Sequence, residues 1–269
     1  MSNLFGTKKK NSISSVNLFV DESTKIELYN DNFQNFKRYN IPKAQLVIAD
    51  IPYNLGVNAY ASSTEWYKDG DNKNGESKKA GKAFFNSDYN FNIAEYMHFC
   101  SKLLKKEPKE TGKAPAMIVF CAFEQMQTVI KYGEKYGFKN NYPITFIKDY
   151  SPQVLKANMK VVGATEYAVV LYREKLPKFN NNGKMVFNWF QWKKDGKAYP
   201  KLHPTQKPIA VLAELIRIFT DEGDVVIDPC AGSASTLRAC AELNRHCYGF
   251  EISREMYRDA KEKMLCEVA

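Results

Sequence analysis

A short apolar run that ends in an acidic residue and a proline constrains this chain more than any other feature. Residues 44–49 (Ala-Gln-Leu-Val-Ile-Ala) read as a buried strand, being short, apolar and partly β-branched. Asp50-Ile51-Pro52-Tyr53 follows at the strand's carboxyl end, the edge where open α/β sheets bind ligands. Pro52 fixes its own φ and pushes Ile51 towards extended geometry, so the turn is stiff and holds Asp50 and Tyr53 at a fixed separation. On these four residues alone the plainer account prevails: a strand ending in a turn, Asp50 as a local cap and Tyr53 as rim packing.

A second stretch changes that balance. His203-Pro204-Thr205-Gln206-Lys207-Pro208 opens a helix, and Gly223-Asp224 then leads into a strand, Val225-Val226-Ile227. Asp228-Pro229-Cys230-Ala231-Gly232-Ser233-Ala234-Ser235-Thr236 turns into another helix. Strand, small-residue turn and helix together cradle a nucleotide-like cofactor. A further strand, 246–250, ends in Glu251, 23 residues beyond Asp228. An acidic residue about 20 residues past such a turn typically accepts hydrogen bonds from ribose hydroxyls. The lack of a GxGxxG argues against a nicotinamide dehydrogenase.

These residues resemble the S-adenosylmethionine-dependent DNA amino-methyltransferases, and within them the β group, in which the catalytic motif precedes the cofactor motif. Asp50 to Tyr53 is similar to that family's Asp-Pro-Pro-Tyr, with Ile51 in place of the first proline. Residues 203–208 and 228–236 match its two cofactor-side motifs, and the likeness runs from about Lys25 to the end. The resemblance implies an α/β, three-layer, Rossmann-like methyltransferase fold with a seven-stranded mixed sheet, one member antiparallel, and a circularly permuted motif order. It implies DNA as partner, S-adenosylmethionine as cofactor, no metal, and leaves a homodimer open.

The chemistry implied is methyl transfer to the exocyclic N6 of adenine. The amine's lone pair is shared with the ring, so its nitrogen must be drawn towards tetrahedral geometry. Asp50 and the backbone carbonyl of Ile51, set by Pro52, would accept its two hydrogens, and Tyr53 would stack on a base extruded from the duplex. By the resemblance, Asp228, Cys230, Ala231, Gly232 and Ser233 hold the methionine end of the cofactor, closed by Thr205 and Lys207 and bordered by Asp50. Glu251 then meets the ribose, Ile252 the adenine ring and Asp31 the adenine amino group. Glu166 matches an acidic position of the family and reads as structural. Two alternatives stay open: N4 of cytosine, a group that usually carries serine where Asp50 stands, and a DNA-binding member without turnover.

The remaining chain fits one large domain, 25–269, after a polar arm, 1–24, that carries Lys8-Lys9-Lys10. Seven strands are expected, near 25–29, 44–49, 116–121, 143–148, 165–172, 224–228 and 246–250, with helices between most of them. Residues 54–90 read as a long loop over the catalytic turn. The net charge of +9 suits a polyanionic partner, and 173–201 contributes eight basic residues against two acidic ones. Six interleaved aromatics make 173–202 the expected target reader, or equally a basic hairpin with its own small core. Six cysteines without metal spacing, three scattered histidines, and no apolar run of ~18–20 residues describe a cytosolic protein with reduced thiols.

Overall fold

The computed structural model describes residues 23–53, 91–149, 153–156, 161–203 and 205–266. The arm and the loop after the catalytic turn fall almost wholly outside these. The strands in chain order are β1 (Ile26–Tyr29), β2 (Leu46–Asp50), β3 (Ala116–Phe120), β4 (Asn140–Lys148), β5 (Gln153–Lys156), β6 (Val161–Gly163), β7 (Thr165–Tyr172), β8 (Trp189–Trp192), β9 (Val225–Asp228) and β10 (His246–Phe250). Eight form one sheet in the order β1-β10-β9-β2-β3-β7-β4-β8, and β5 with β6 makes a separate hairpin. Only β7 runs antiparallel within the large sheet.

The seven expected strands are all present, and the count is corrected to eight by β8, which comes from the aromatic segment 173–202. Its alternation explains the addition: Phe190 and Trp192 are buried while Trp189 and Gln191 face outward, a period of two that seats the strand on the sheet edge. Between β1 and β2 the chain makes a 3-10 turn, Phe33–Arg38, with Asn32 as its N-cap. The hairpin β5–β6 was not anticipated.

Alternation along β2 divides the core in two. Leu46 and Ile48 point to one face, where they meet helices α3 (Ile209–Phe219) and α4 (Ser235–Glu242) and the end of α5 (Arg254–Asp259). Val47 and Ala49 point to the other, against α1 (Ile93–Leu103) and α2 (Met126–Lys135). Leu46, Val47 and Ile48 are fully buried, each worth about 1.5–3 kcal/mol in apolar burial. The result is the three-layer arrangement, helices on both faces of a mainly parallel sheet.

The chain leaves β2 in one direction, through β3, β7, β4 and β8, and later fills the other side with β9, β10 and β1. β2 and β9 are therefore neighbours at which the winding reverses. Their pairing covers Leu46↔Val226 and Val47↔Ile227 only, so the strands part before Asp50 and Asp228. A crevice at the carboxyl ends of such strands is where this class of sheet binds ligands.

α3 shows how the segment before it is fixed. Its N-cap position is Pro208, which offers no side-chain acceptor. Asp195 fills that role from outside the helix, accepting from Ile209 N at 2.9 Å and Ala210 N at 3.4 Å. The cap ties β8's following turn to the residues 203–208 that reach the site. Asp195→Ala is expected to lower stability by about 1 kcal/mol and Asp195→Asn by much less, read from urea midpoints at constant m-value.

Candidate active site

Asp50 ends β2, beside Phe120 in register on β3. The backbone continues the ladder one step further, Ile51 N donating to Phe120 O at 3.1 Å, and the Ile51 side chain is buried among the α1 and α2 residues. That burial gives an apolar residue a reason to stand where the resembled motif has proline. Pro52 presents its carbonyl to Gln125 Nε2 at 3.0 Å, and Gln125 Oε1 in turn accepts from Ala122 N at 3.0 Å. The turn 50–53 is thus clamped by a side chain from the turn after β3. Gln125 gave no signal in the sequence, since one polar residue at a helix start is unremarkable.

Lys207 crosses the crevice. Its ammonium lies 2.6 Å from Asp50 Oδ2 and 3.6 Å from Glu166 Oε2, with its side chain 9% exposed. The rings of Tyr53, Phe120 and Trp192 stand 5.5, 5.5 and 5.6 Å from it, a desolvated cation–π setting. Glu166, at the start of β7, also takes Lys148 Nζ at 2.5 Å on Oε1 and the Tyr53 hydroxyl at 3.0 Å on Oε2. Residues 50–53 and 203–208 meet through this contact. Lys207 comes to the Asp50 side of the crevice, and Glu166, read as structural, is part of the same cluster.

The electrostatics follow from burial and pairing. Burial pushes the Asp50 carboxyl up, and the Lys207 ammonium pulls it back. Burial also opposes Glu166 ionisation, but Lys207 and Lys148 outweigh it and hold that carboxyl at about 2. Burial would lower Lys207, yet the two carboxylates keep it above its ordinary value. The cluster thus sets two carboxyl groups, Asp50 and Glu166, against two lysines, Lys207 and Lys148. Asp50 Oδ1 is buried and accepts no hydrogen bond among the described residues. An unpaired buried carboxylate oxygen is costly, so it marks where a donor is meant to arrive.

On the other side of the crevice the small-residue turn after β9 bends through two left-handed residues, Gly232 at φ +50° and Ala234 at φ +61°. Asp228 Oδ1 accepts from Cys230 N at 2.9 Å, and burial pushes the Asp228 carboxyl up to about 7. Ala231 N donates to Phe250 O at 2.9 Å, and Ser233 and Ser235 pair through their hydroxyls at 3.0 Å. Glu251 spans the turn from the end of β10, taking Gly232 N at 2.9 Å and Ser253 N at 2.7 Å. Ile252 beside it is exposed. Thr205 Oγ1 lies 2.8 Å from His203 Nδ1.

Asp31 sits at the end of β1, next to Glu251, since Asn30 Nδ2 donates to Glu251 O at 2.8 Å. Its carboxylate is occupied by Asn32 N and Asn35 Nδ2, both at 2.7 Å, and by the Tyr39 hydroxyl at 2.9 Å. Those donors hold it below the usual carboxylate range, led by Asn35.

These residues fit S-adenosylmethionine. The turn carries no side chain larger than a thiol or hydroxyl at Cys230 to Ala234, leaving its backbone open to close approach. The carboxylates of Asp228 and Glu251 suit an ammonium and ribose hydroxyls. The buried Tyr96 hydroxyl, with Cys100 beside it, is also in the field of Asp228 and Cys230. No group of three or more metal-ligating side chains occurs among the described residues, and no helix among them is long and apolar enough to cross a membrane.

The basic segment 173–202 divides between the two ends of the sheet. β7 runs antiparallel, so Tyr172 lies beside Asn140, opposite the catalytic edge. There Arg173 donates to Lys105 O at 3.1 Å and Ser101 O at 3.3 Å, Lys175 to Pro108 O at 2.8 Å, and Lys178 pairs with Asp221. β8 then climbs beside β4 to pair Trp192 with Lys148, and delivers the exposed Lys193, Lys197 and Lys201 to the catalytic end.

Comparison with known proteins agrees with this layout. The family model described as DNA methylase matches residues 44–262. The DNA adenine methyltransferase YhdJ of Escherichia coli K12 is 24% identical over 249 residues, covering 85% of this chain and 78% of its own. The crystal structure of the M1.HpyAVI–SAM complex superposes with a TM-score of 0.64 at 22% identity, covering 88% of this chain and 97% of that one. The cytosine-N4-specific PvuII DNA methyltransferase gives 0.61 at 16% identity, covering 88% and 86%. With both motifs facing one crevice in the permuted order, and the family model spanning most of its length, this chain belongs to the S-adenosylmethionine-dependent DNA amino-methyltransferases of the N6/N4 type.

Proposed function

We propose that this protein methylates the exocyclic N6 of adenine in DNA after turning the base out of the duplex. The observation that carries the reading is Asp50 Oδ1, a buried acceptor without a partner among the described residues, set between the Tyr53 turn and the cofactor turn. S-adenosylmethionine supplies an electrophilic methyl when bound. Asp50 accepts one amino hydrogen and the Ile51 carbonyl the other, which localises the nitrogen lone pair. Tyr53, anchored through its hydroxyl, offers its ring to the base, and stacking of ~1–3 kcal/mol with pocket hydrogen bonds offsets an extrusion cost of a few kcal/mol. Positioning of the two reactants supplies much of the rate.

An aspartate rather than a serine at position 50 favours adenine, as does the name of YhdJ. The cytosine-N4-specific neighbour supports the second reading, N4 of cytosine, which the same constellation would serve. Nucleoside digestion of DNA methylated by the purified protein decides: N6-methyladenine is expected, and N4-methylcytosine would reverse the assignment. Asp50→Ala is expected to cut transfer of labelled methyl by on the order of 10²–10³-fold while cofactor affinity changes far less.

Asp228 gives a pH dependence. Its carboxyl, held at about 7, must ionise to receive the methionine ammonium assigned to it here. The bound cation favours the ionised form, so affinity climbs as pH rises through the free-state value and levels off above it. Calorimetric binding of S-adenosylmethionine should tighten several-fold between about pH 6 and about pH 7.5, and Asp228→Asn should flatten that rise.

We infer DNA contact at the catalytic end of the basic segment. Replacing Lys193, Lys197 and Lys201 with glutamine should reduce the slope of log affinity against log salt by roughly 0.9 per lysine that meets a phosphate, whereas Lys175→Gln should leave it unchanged.

A further inference from the structure

We propose that Glu166, backed by Lys148, is a positioning residue of the methyl-transfer site: it anchors the Tyr53 hydroxyl and draws Lys207 to one side of Asp50, so that Oδ1 alone faces the target amine. This rests on the reading of Asp50 as the amine's acceptor.

The geometry carries it. Glu166 Oε2 receives Tyr53 at 3.0 Å and lies 3.6 Å from Lys207, while Oε1 is held by Lys148 at 2.5 Å. Here a second carboxylate shares Lys207, which contacts Oδ2 at 2.6 Å and leaves Oδ1 without a partner among the described residues. Lys148 then balances the second carboxylate, its side chain 6% exposed and its ammonium 5.1 Å from the Trp192 ring. A buried ion pair is often no more stabilising than apolar residues of the same volume, so stability gives little reason to gather four charges here. A need to aim one oxygen and one ring does. Both are served by a single side chain on β7, a strand that rigidly spans β3 and β4.

The ionisable groups facing Asp50 are Lys207, Glu166 and Tyr53, with Cys121 after β3 and Asp228 and Cys230 at the end of β9. Of these, Glu166 opposes Asp50 ionisation and Lys207 favours it. Removing the Glu166 charge gives Asp50 the whole of Lys207, and removing Lys148 gives Glu166 a larger share of it. The acid limb of the rate profile should therefore move to lower pH in Glu166→Gln and to higher pH in Lys148→Met.

The test uses the full chain, plasmid DNA from a non-methylating host and labelled S-adenosylmethionine, under single-turnover conditions across pH. Glu166→Gln is expected to slow the step by on the order of 10²-fold with cofactor affinity within about twofold, since a misplacement near 1 Å costs that much. Should that variant not fold, Lys148→Met and the charge-balanced Glu166→Gln/Lys148→Met pair carry the measurement. Opposite displacements of the acid limb support the proposal. Wild-type rates and unshifted profiles in folded variants overturn it, as does a rate loss matched by an equal loss of cofactor binding. If Asp50→Ala itself keeps wild-type activity, the functional reading fails first; if Asp50→Ala is inactive and the Glu166 and Lys148 variants behave as wild type, only the positioning role fails.

Discussion

One ammonium joins the two halves of this protein. Lys207 follows β8 and precedes α3, yet its charge rests on Asp50, more than 150 residues earlier, and on Glu166. Removing one partner of such a buried pair costs about 3–5 kcal/mol because the other charge is left uncompensated. The contact therefore fixes more than a side chain. It sets the height at which residues 203–208 cross the crevice and hence where the cofactor turn, carried by the following helix and strand, lies relative to the catalytic turn. The Asp195 cap and the Lys207 pair act on either side of Pro208, so the carboxyl end of the segment is held from two directions.

The crevice exists because β2 and β9 pair over two residues and then diverge. Each ends in an aspartate, and the two aspartates have opposite surroundings. Asp50 has the Lys207 ammonium against one oxygen, and under the proposed reading its other oxygen receives the amine. Burial pushes the Asp228 carboxyl up to about 7, against the pull of its backbone and hydroxyl donors. A cationic ligand supplies what Asp228 lacks; a neutral, hydrogen-bearing amine supplies what Asp50 Oδ1 lacks. Under the proposed reading, the same sheet edge sorts a sulfonium-bearing, ammonium-bearing donor from a neutral base.

Most of the fold was legible because its strands are the apolar runs of the sequence, and burial on both faces leaves such runs little alternative. The β2 and β9 turns were legible because their residue types and order are unusual together. β8 was not: Trp189 to Trp192 is short, lies in a basic stretch, and declares itself as a strand only once β4 stands beside it. Glu166 and Gln125 were hidden for another reason. A single Glu in a strand or a single Gln at a helix start has many uses, and only long-range geometry shows that one reaches Tyr53, 113 positions away, and the other Pro52, 73 positions away. The basic residues of 173–202 divide between the two ends of the sheet, since antiparallel β7 delivers the first third to the end opposite Asp50.

That division bears on how this chain would meet DNA. Arg173, Lys175 and Lys178 are committed to carbonyls and carboxylates of the body, which leaves the turn after β8 as the part of the segment both basic and next to Asp50. The turn is anchored beneath by Trp192 in the core and Asp195 on α3, and it borders the Lys207 crossing. Phosphate contacts made there would be transmitted to the catalytic carboxylate through a few rigid residues. Register on the duplex and placement of the base would then be one event, with the backbone contacts setting position and the Asp50–Tyr53 turn receiving the extruded base.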